Sequence, residues 1–165
     1  MAVLVLAAST GLLGWLLFGE SDEERIRSNL RSLAAAVATR EDESIPFRTA
    51  RLNGVFKELL HPDVTLEAPE LAQIRGRRDL ALLAASAPRA YGAFTISLEE
   101  TEVEISAGSN RARATARVSL IGKQDGELRR DRRNVRFQLQ KQGSTWLVGE
   151  IYVAAKTDEQ PEARP

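Results

Sequence analysis

The chain contains no cysteine, which removes disulfides, thiolate metal sites and a cysteine nucleophile together. Histidine occurs once, at His61, so a histidine-rich metal centre or a serine–histidine triad would have to be built around one residue. Aromatic side chains are scarce, at 5%. Neither charge predominates: Lys plus Arg and Asp plus Glu number 23 each, so no overall field draws the protein toward nucleic acid or a charged surface. Hydrophobic residues make up 43% of the 165 positions, enough to bury the core of one domain.

Charge is also missing from one place. Residues 2–18, AVLVLAASTGLLGWLLF, hold no ionisable side chain, and every charged residue lies from Glu20 onward. As a helix at about 1.5 Å per residue the run reaches roughly 26–28 Å, just enough to cross a hydrocarbon core of about 30 Å. Trp15 near its end suits the headgroup level. A cleavable signal peptide would need a basic start and a late small-x-small site. Nothing basic follows Met1, and Ala7 to Thr10 come too early. The reading is a single-pass membrane anchor over 1–19, with the partner on that side being lipid. Arg25, Arg27 and Arg31 follow the run, which taken literally places the domain in the cytoplasm. The analogy with other N-terminal anchors places it outside, and that is the side expected here.

A domain is expected over 20–155. Ser21-Asp-Glu-Glu24 is a capping box, opening a helix with Ile26, Leu30, Leu33 and Val37 on one face that ends near Arg40. After the polar EDES stretch, Pro46 suits the first turn of a second helix over about 47–60. A short strand is expected over 63–67, then a loop through Pro69 and Gly76, then a helix over about 77–87 stopped by Pro88. Beyond Gly92 the period switches to two. Phe94, Ile96 and Leu98 alternate with polar residues, and Val103 and Ile105 resume with opposite parity, which predicts a bulge near 99–102. Ala112 to Leu120 and Val135 to Leu139 alternate in the same way, Asp125-Gly126 signals a hairpin, and residues 146–153 form a last strand. Residues 156–165 are polar with two prolines and are read as a disordered tail. The fold class is α+β: three helices on a strongly bent antiparallel sheet.

This order, with His61-Pro-Asp-Val-Thr-Leu-Glu-Ala-Pro69, Arg75-Gly76-Arg77-Arg78-Asp79-Leu80 and Val135-x-Phe-x-Leu-x-Lys-x-Gly-x-x-Trp-Leu-Val148 followed by Glu150-Ile-Tyr-Val153, resembles the nuclear transport factor 2-like superfamily, which includes SnoaL-like cyclases and ketosteroid isomerases. The resemblance implies a cone: a bent sheet around a pocket with helices at its mouth. It also implies, residue by residue, that the isomerase general base is absent, because Ala68 stands where that pattern has an aspartate. An His61/Asp63 pair is the dehydratase-like alternative, against a simple turn role for Asp63 after Pro62.

Candidate pocket residues are His61, Glu67, Tyr91, Phe137, Trp146 and Tyr152, with core filling the plainer account of the aromatics. A second candidate surface is basic: Arg113, Arg117, Arg130, Arg132 and Arg136 would line the outer sheet face. Its competing account is a solvated face answered by Glu99, Glu100, Glu102, Glu104, Glu127 and Glu150. No metal and no cofactor is expected. Nucleic acid is disfavoured because stacking aromatics are missing. The functional expectation is a non-catalytic, membrane-anchored module that docks a partner protein or a second copy; the alternatives are a binder of small apolar ligands using the cone pocket, or a SnoaL-like lyase or isomerase.

Overall fold

The computed structural model describes residues 20–40, 43–124 and 127–156. The anchor expected over 1–19, the tail from 157 and the Asp125-Gly126 turn lie outside the described residues. Among the described residues no helix is long and apolar enough to cross a membrane.

Helix α1 (Asp22–Val37) starts as its sequence predicts: the Ser21 hydroxyl accepts from the Glu24 backbone N–H at 3.2 Å, and three acidic residues in the first turn complement the helix dipole. Its apolar stripe, Ile26, Leu30 and Leu33, is buried. Helix α2 (Ile45–Leu59) carries Pro46 in its first turn and buries Leu52 and Phe56. It runs directly into β1 (Leu60–Ala68), which turns through Pro69-Glu70 into β2 (Leu71–Arg75). Helix α3 (Arg77–Tyr91) follows, then β3 (Phe94–Ile105), β4 (Arg111–Gln124), β5 (Glu127–Gln142) and β6 (Thr145–Val153).

The strands form one sheet in the order β2-β1-β6-β5-β4-β3. The expectation of a purely antiparallel sheet is corrected here. β1 lies parallel to β6, with Thr65 opposite Glu150 and Glu67 opposite Tyr152, so the sheet is mixed. Side-chain alternation reports which face a residue takes but carries no information about strand direction. The expected bulge is present as a register shift between Glu99 and Glu102, with Glu100 at a φ of 50°.

β2 replaces an expected loop. Only Ile74 of its five residues is partly buried, and such an edge strand has no alternating pattern to announce it. Helix α3 also runs past the expected stop. Pro88 lies inside it, and the helix ends at Gly92, whose φ is 65°. A proline leaves the carbonyl four residues earlier without its helical donor. That carbonyl is Ala84, and the Nε of Arg48 donates to it at 3.2 Å. Gly92 is demanded by space as well as by φ, because a Cβ there would lie 2.1 Å from the Lys123 carbonyl.

The core is one cluster between helices and sheet. It joins Ile26, Leu30, Leu52 and Phe56 to Leu60, Val64, Ala114, Phe137, Trp146 and Val148. The buried charge at its edge is Arg48, 2% exposed. Besides Ala84 it donates to the carbonyls of Val37 and Ala38, which α1 leaves unpaired at its C-terminus. Arg51 donates to the Ala36 carbonyl and clasps Glu43 through two bonds of 2.6 Å. One arginine pair on α2 therefore satisfies the open carbonyls of two other helices.

Candidate functional site

Along β5 the inward residues are Asp131, Arg133, Val135, Phe137 and Leu139. The last three are buried, while the first two sit where the sheet runs beyond the helices. There the fold leaves a cavity of about 290 Å³ lined by Leu66, Ala68, Glu70, Leu71, Tyr91, Val118, Leu120, Asp131, Arg133, Val135 and Val153. That volume is at the lower edge of the range for small-molecule sites, about 300–1,000 Å³. Its walls come from five strands, its rim from the β1–β2 turn and the end of α3. The Tyr91 ring is set by an edge contact with Phe94 at 6.4 Å, and Phe94 is covered in turn by the Arg48 guanidinium at 5.6 Å.

The charged groups of the cavity form one cluster. Arg133 Nε and Nη2 each donate to Asp131 at 3.1 Å, and Nη1 donates to both Glu70 oxygens at 2.6 and 2.8 Å. The hydrogen bond from Arg133 holds the Glu70 carboxyl below its ordinary value. Asp131 and Glu70 in turn raise Arg133 above its own. Both carboxylates are thus engaged by the guanidinium, and Ala68 supplies no proton acceptor of its own.

Sequence reasoning singled out Tyr91 for the pocket but missed Glu70, Asp131 and Arg133. The signal for the last two was present. Asp131 and Arg133 continue the inward parity of Val135, Phe137 and Leu139 by two residues each. They were hidden in a run that reads as a basic strip. Glu70 had no signal, because its place depends on the unpredicted hairpin of β1 with β2.

The other expected pocket residues are scattered. Phe137 and Trp146 are core side chains, 6% and 1% exposed. Glu67 and Tyr152 lie on the outer sheet face, in a groove of about 220 Å³ with Arg136, Gln138 and Glu150. His61 is half-buried at the start of β1, and its Nδ1 accepts from the Asp63 backbone N–H at 3.2 Å, a local turn contact.

The residues of the expected basic face do share the outer side of β4 and β5. Arg113 is opposite Gln138, Arg117 opposite Asn134, Arg136 opposite Thr115, Arg132 opposite Ser119 and Arg130 opposite Ile121. Acidic neighbours are interleaved: Glu104 is opposite Arg113, and Glu100 pairs with Arg117 at 2.6 Å. Arg136 stacks over the Tyr152 ring at 5.8 Å. The groove there, about 330 Å³, is larger than the mouth cavity and has a mixed lining in which Glu100, Glu102, Arg117 and Arg136 stand beside Ala116, Val135 and Tyr152. Among the described residues no group of three or more metal-type ligands converges.

No family model matches the chain, and no curated protein is found to be similar. Solved structures do match, 356 chains of them, so the architecture is widely used and selects no activity by itself. One is a nuclear transport factor 2-like protein with a cystatin-like fold from Novosphingobium aromaticivorans, 18% identical over 94% of this chain and 90% of that one, with a TM-score of 0.60. Another is a candidate association domain of calcium/calmodulin-dependent protein kinase II from Xanthomonas campestris, 12% identical over 86% and 93%, with a TM-score of 0.64. A third is a candidate dehydratase of the same fold family from Streptomyces avermitilis, 12% identical over 80% and 94%, with a TM-score of 0.60. At such identities the likeness is one of fold, and the described residues form the nuclear transport factor 2-like, cystatin-like cone, three helices against a six-stranded mixed sheet.

Proposed function

We propose that this chain is a non-catalytic, membrane-tethered binding module that holds a small apolar group in the open end of its cone. The observation that supports it most is the composition of the mouth cavity. Its walls are aliphatic, and both of its carboxylates are already bound by Arg133. A general base needs a free carboxylate or imidazole within reach of the substrate. The cavity is better equipped to enclose than to transfer a proton.

The tether follows from residues 2–18 and gives the site a direction. Helix α1 begins beside the β5–β6 hairpin, where Asp22 meets Lys141 at 2.6 Å and Arg25 donates to the Ser144 carbonyl. It ends beside Phe94, where the Thr39 N–H donates to the Phe94 carbonyl at 2.9 Å. Sixteen residues of helix measure about 24 Å, and the cavity lies at the Phe94 end. A segment entering at Glu20 would hold the hairpin end toward the lipid and turn the mouth to the aqueous side.

The test is titration of the full chain, in lipid nanodiscs, with the neutral fluorophore N-phenyl-1-naphthylamine. Saturable binding that is lost in Val118→Phe, with the far-ultraviolet dichroism unchanged, is expected. Equal binding by the variant would remove the cavity as the site. Carbonate extraction that releases the chain from membranes would remove the tether.

A second reading, a protein partner on the outer sheet face, is favoured by the Arg136–Tyr152 stack. Tyr152 is 47% exposed, and Tyr and Arg are the side chains most often central to interfaces. Crosslinking that fails to place any protein at a photoreactive residue 152 would remove it.

A further inference from the structure

The mouth cavity is unbalanced in charge. Glu70, Asp131 and Arg133 are its strongly ionisable lining groups, two carboxylates against one guanidinium. Every guanidinium nitrogen is engaged: Nε and Nη2 by Asp131, Nη1 by Glu70. An anionic ligand would have to pull Arg133 from one of its partners and would still meet a surplus negative charge. A neutral ligand gains only the walls. A cation finds both a matching charge and, at the rim, the Tyr91 ring, 50% exposed, whose face attracts cations.

The surplus charge is placed to be felt. It borders Leu66, Val118, Leu120, Val135 and Val153, and a charge beside an apolar wall interacts more strongly than one surrounded by water. Glu70 is the exposed member, 55% open against 20% for Arg133, so an arriving head group reaches it without unpacking the sheet. Its carboxyl stays charged well below neutrality because Arg133 holds it low.

Building on the apolar-cavity reading above, we propose that the ligand is a monocationic amphiphile: a short apolar body seated among the aliphatic walls, with a protonated amine or quaternary ammonium at Glu70, Asp131 and Tyr91.

The experiment compares hexyltrimethylammonium, 1-hexanol and hexanoate by calorimetry on the full chain in zwitterionic nanodiscs, with empty nanodiscs as blank. The cation is expected to bind at least about tenfold more tightly than 1-hexanol, with hexanoate the weakest. Glu70→Gln, an exposed change that leaves the fold intact by dichroism, should bring the cation to within about threefold of 1-hexanol measured on the same variant. Equal binding of cation and alcohol by the unaltered chain, a preference for hexanoate, or a cation preference that survives Glu70→Gln would each overturn the charge inference while leaving the cavity reading in place. Absence of binding by all three would instead sink the cavity reading itself.

Discussion

The two ends of this cone are built from the same strands and differ in what fills them. At the hairpin end, Trp146 is 1% exposed and plugs the space between α1 and the sheet. Lys141 lies over its ring at 5.5 Å and pairs with Asp22, and Asn29 donates to its carbonyl. At the other end the β4, β5 and β6 positions lining the space are Val118, Leu120, Val135 and Val153, the aromatics Tyr91 and Phe94 stand to one side of it, and a cavity remains. One large side chain accounts for much of the difference. A bent sheet offers concave volume at both ends, and residue size decides which end becomes core and which becomes a site.

Hollowing the closed end has the largest expected effect. Trp146→Ala is expected to cost about 3–5 kcal/mol, the usual range for removing a buried aromatic, measured by urea unfolding. Binding of the neutral probe at the mouth should be unchanged in the folded fraction, because the two ends share no partner. A matching loss of probe affinity would show that they are coupled. Arg48→Met comes next, at about 3 kcal/mol, since it strands the carbonyls of Val37, Ala38 and Ala84 in partly buried surroundings. Here probe affinity should fall as well, because Arg48 seats Phe94 and Phe94 seats Tyr91. Unaltered affinity would separate the rim from the helix junction.

The closed end was the more legible in the sequence. The Ser21 N-cap, the Ile26 stripe and the alternation through Leu139 each state a local rule that the fold obeys. Trp146 was visible as a large apolar residue on an alternating strand, though its role as a plug required knowing that α1 passes over it. At the open end the deciding facts are non-local. Glu70 reaches Arg133 across 63 positions of chain, through a hairpin whose second strand is exposed and unpatterned. The parallel pairing of β1 with β6 brings Leu66 to Ile151, and no periodicity encodes that. Pro88 shows the converse. A valid local stop signal fails because Arg48, forty residues earlier, supplies the donor that the broken helix lacks.

The N-cap of the closed end contributes less. Ser21→Ala should lower stability by about 1 kcal/mol, the common value for an N-cap hydroxyl, with the probe site untouched. A loss of more than about twice that would mean that Ser21 supports the Trp146 plug and not merely the first turn of α1.

The smallest expected effect separates the two ends by acid. The Lys141 hydrogen bond lowers the Asp22 carboxyl below its ordinary 3.8, helped by the nearby Trp146 indole N–H, which lies outside hydrogen-bond geometry. A carboxyl lower in the folded than in the unfolded state contributes stability above the unfolded value, and that contribution fades as the pH falls through the folded one. Asp22 is about a third exposed, so solvent limits the pair to about 1 kcal/mol or less. Asp22→Asn should therefore destabilise slightly at neutral pH, and its deficit relative to the unaltered chain should close as the pH is taken below about 4. A deficit that is constant with pH would show that Asp22 acts through the first-turn packing of α1 and not through its charge on Lys141.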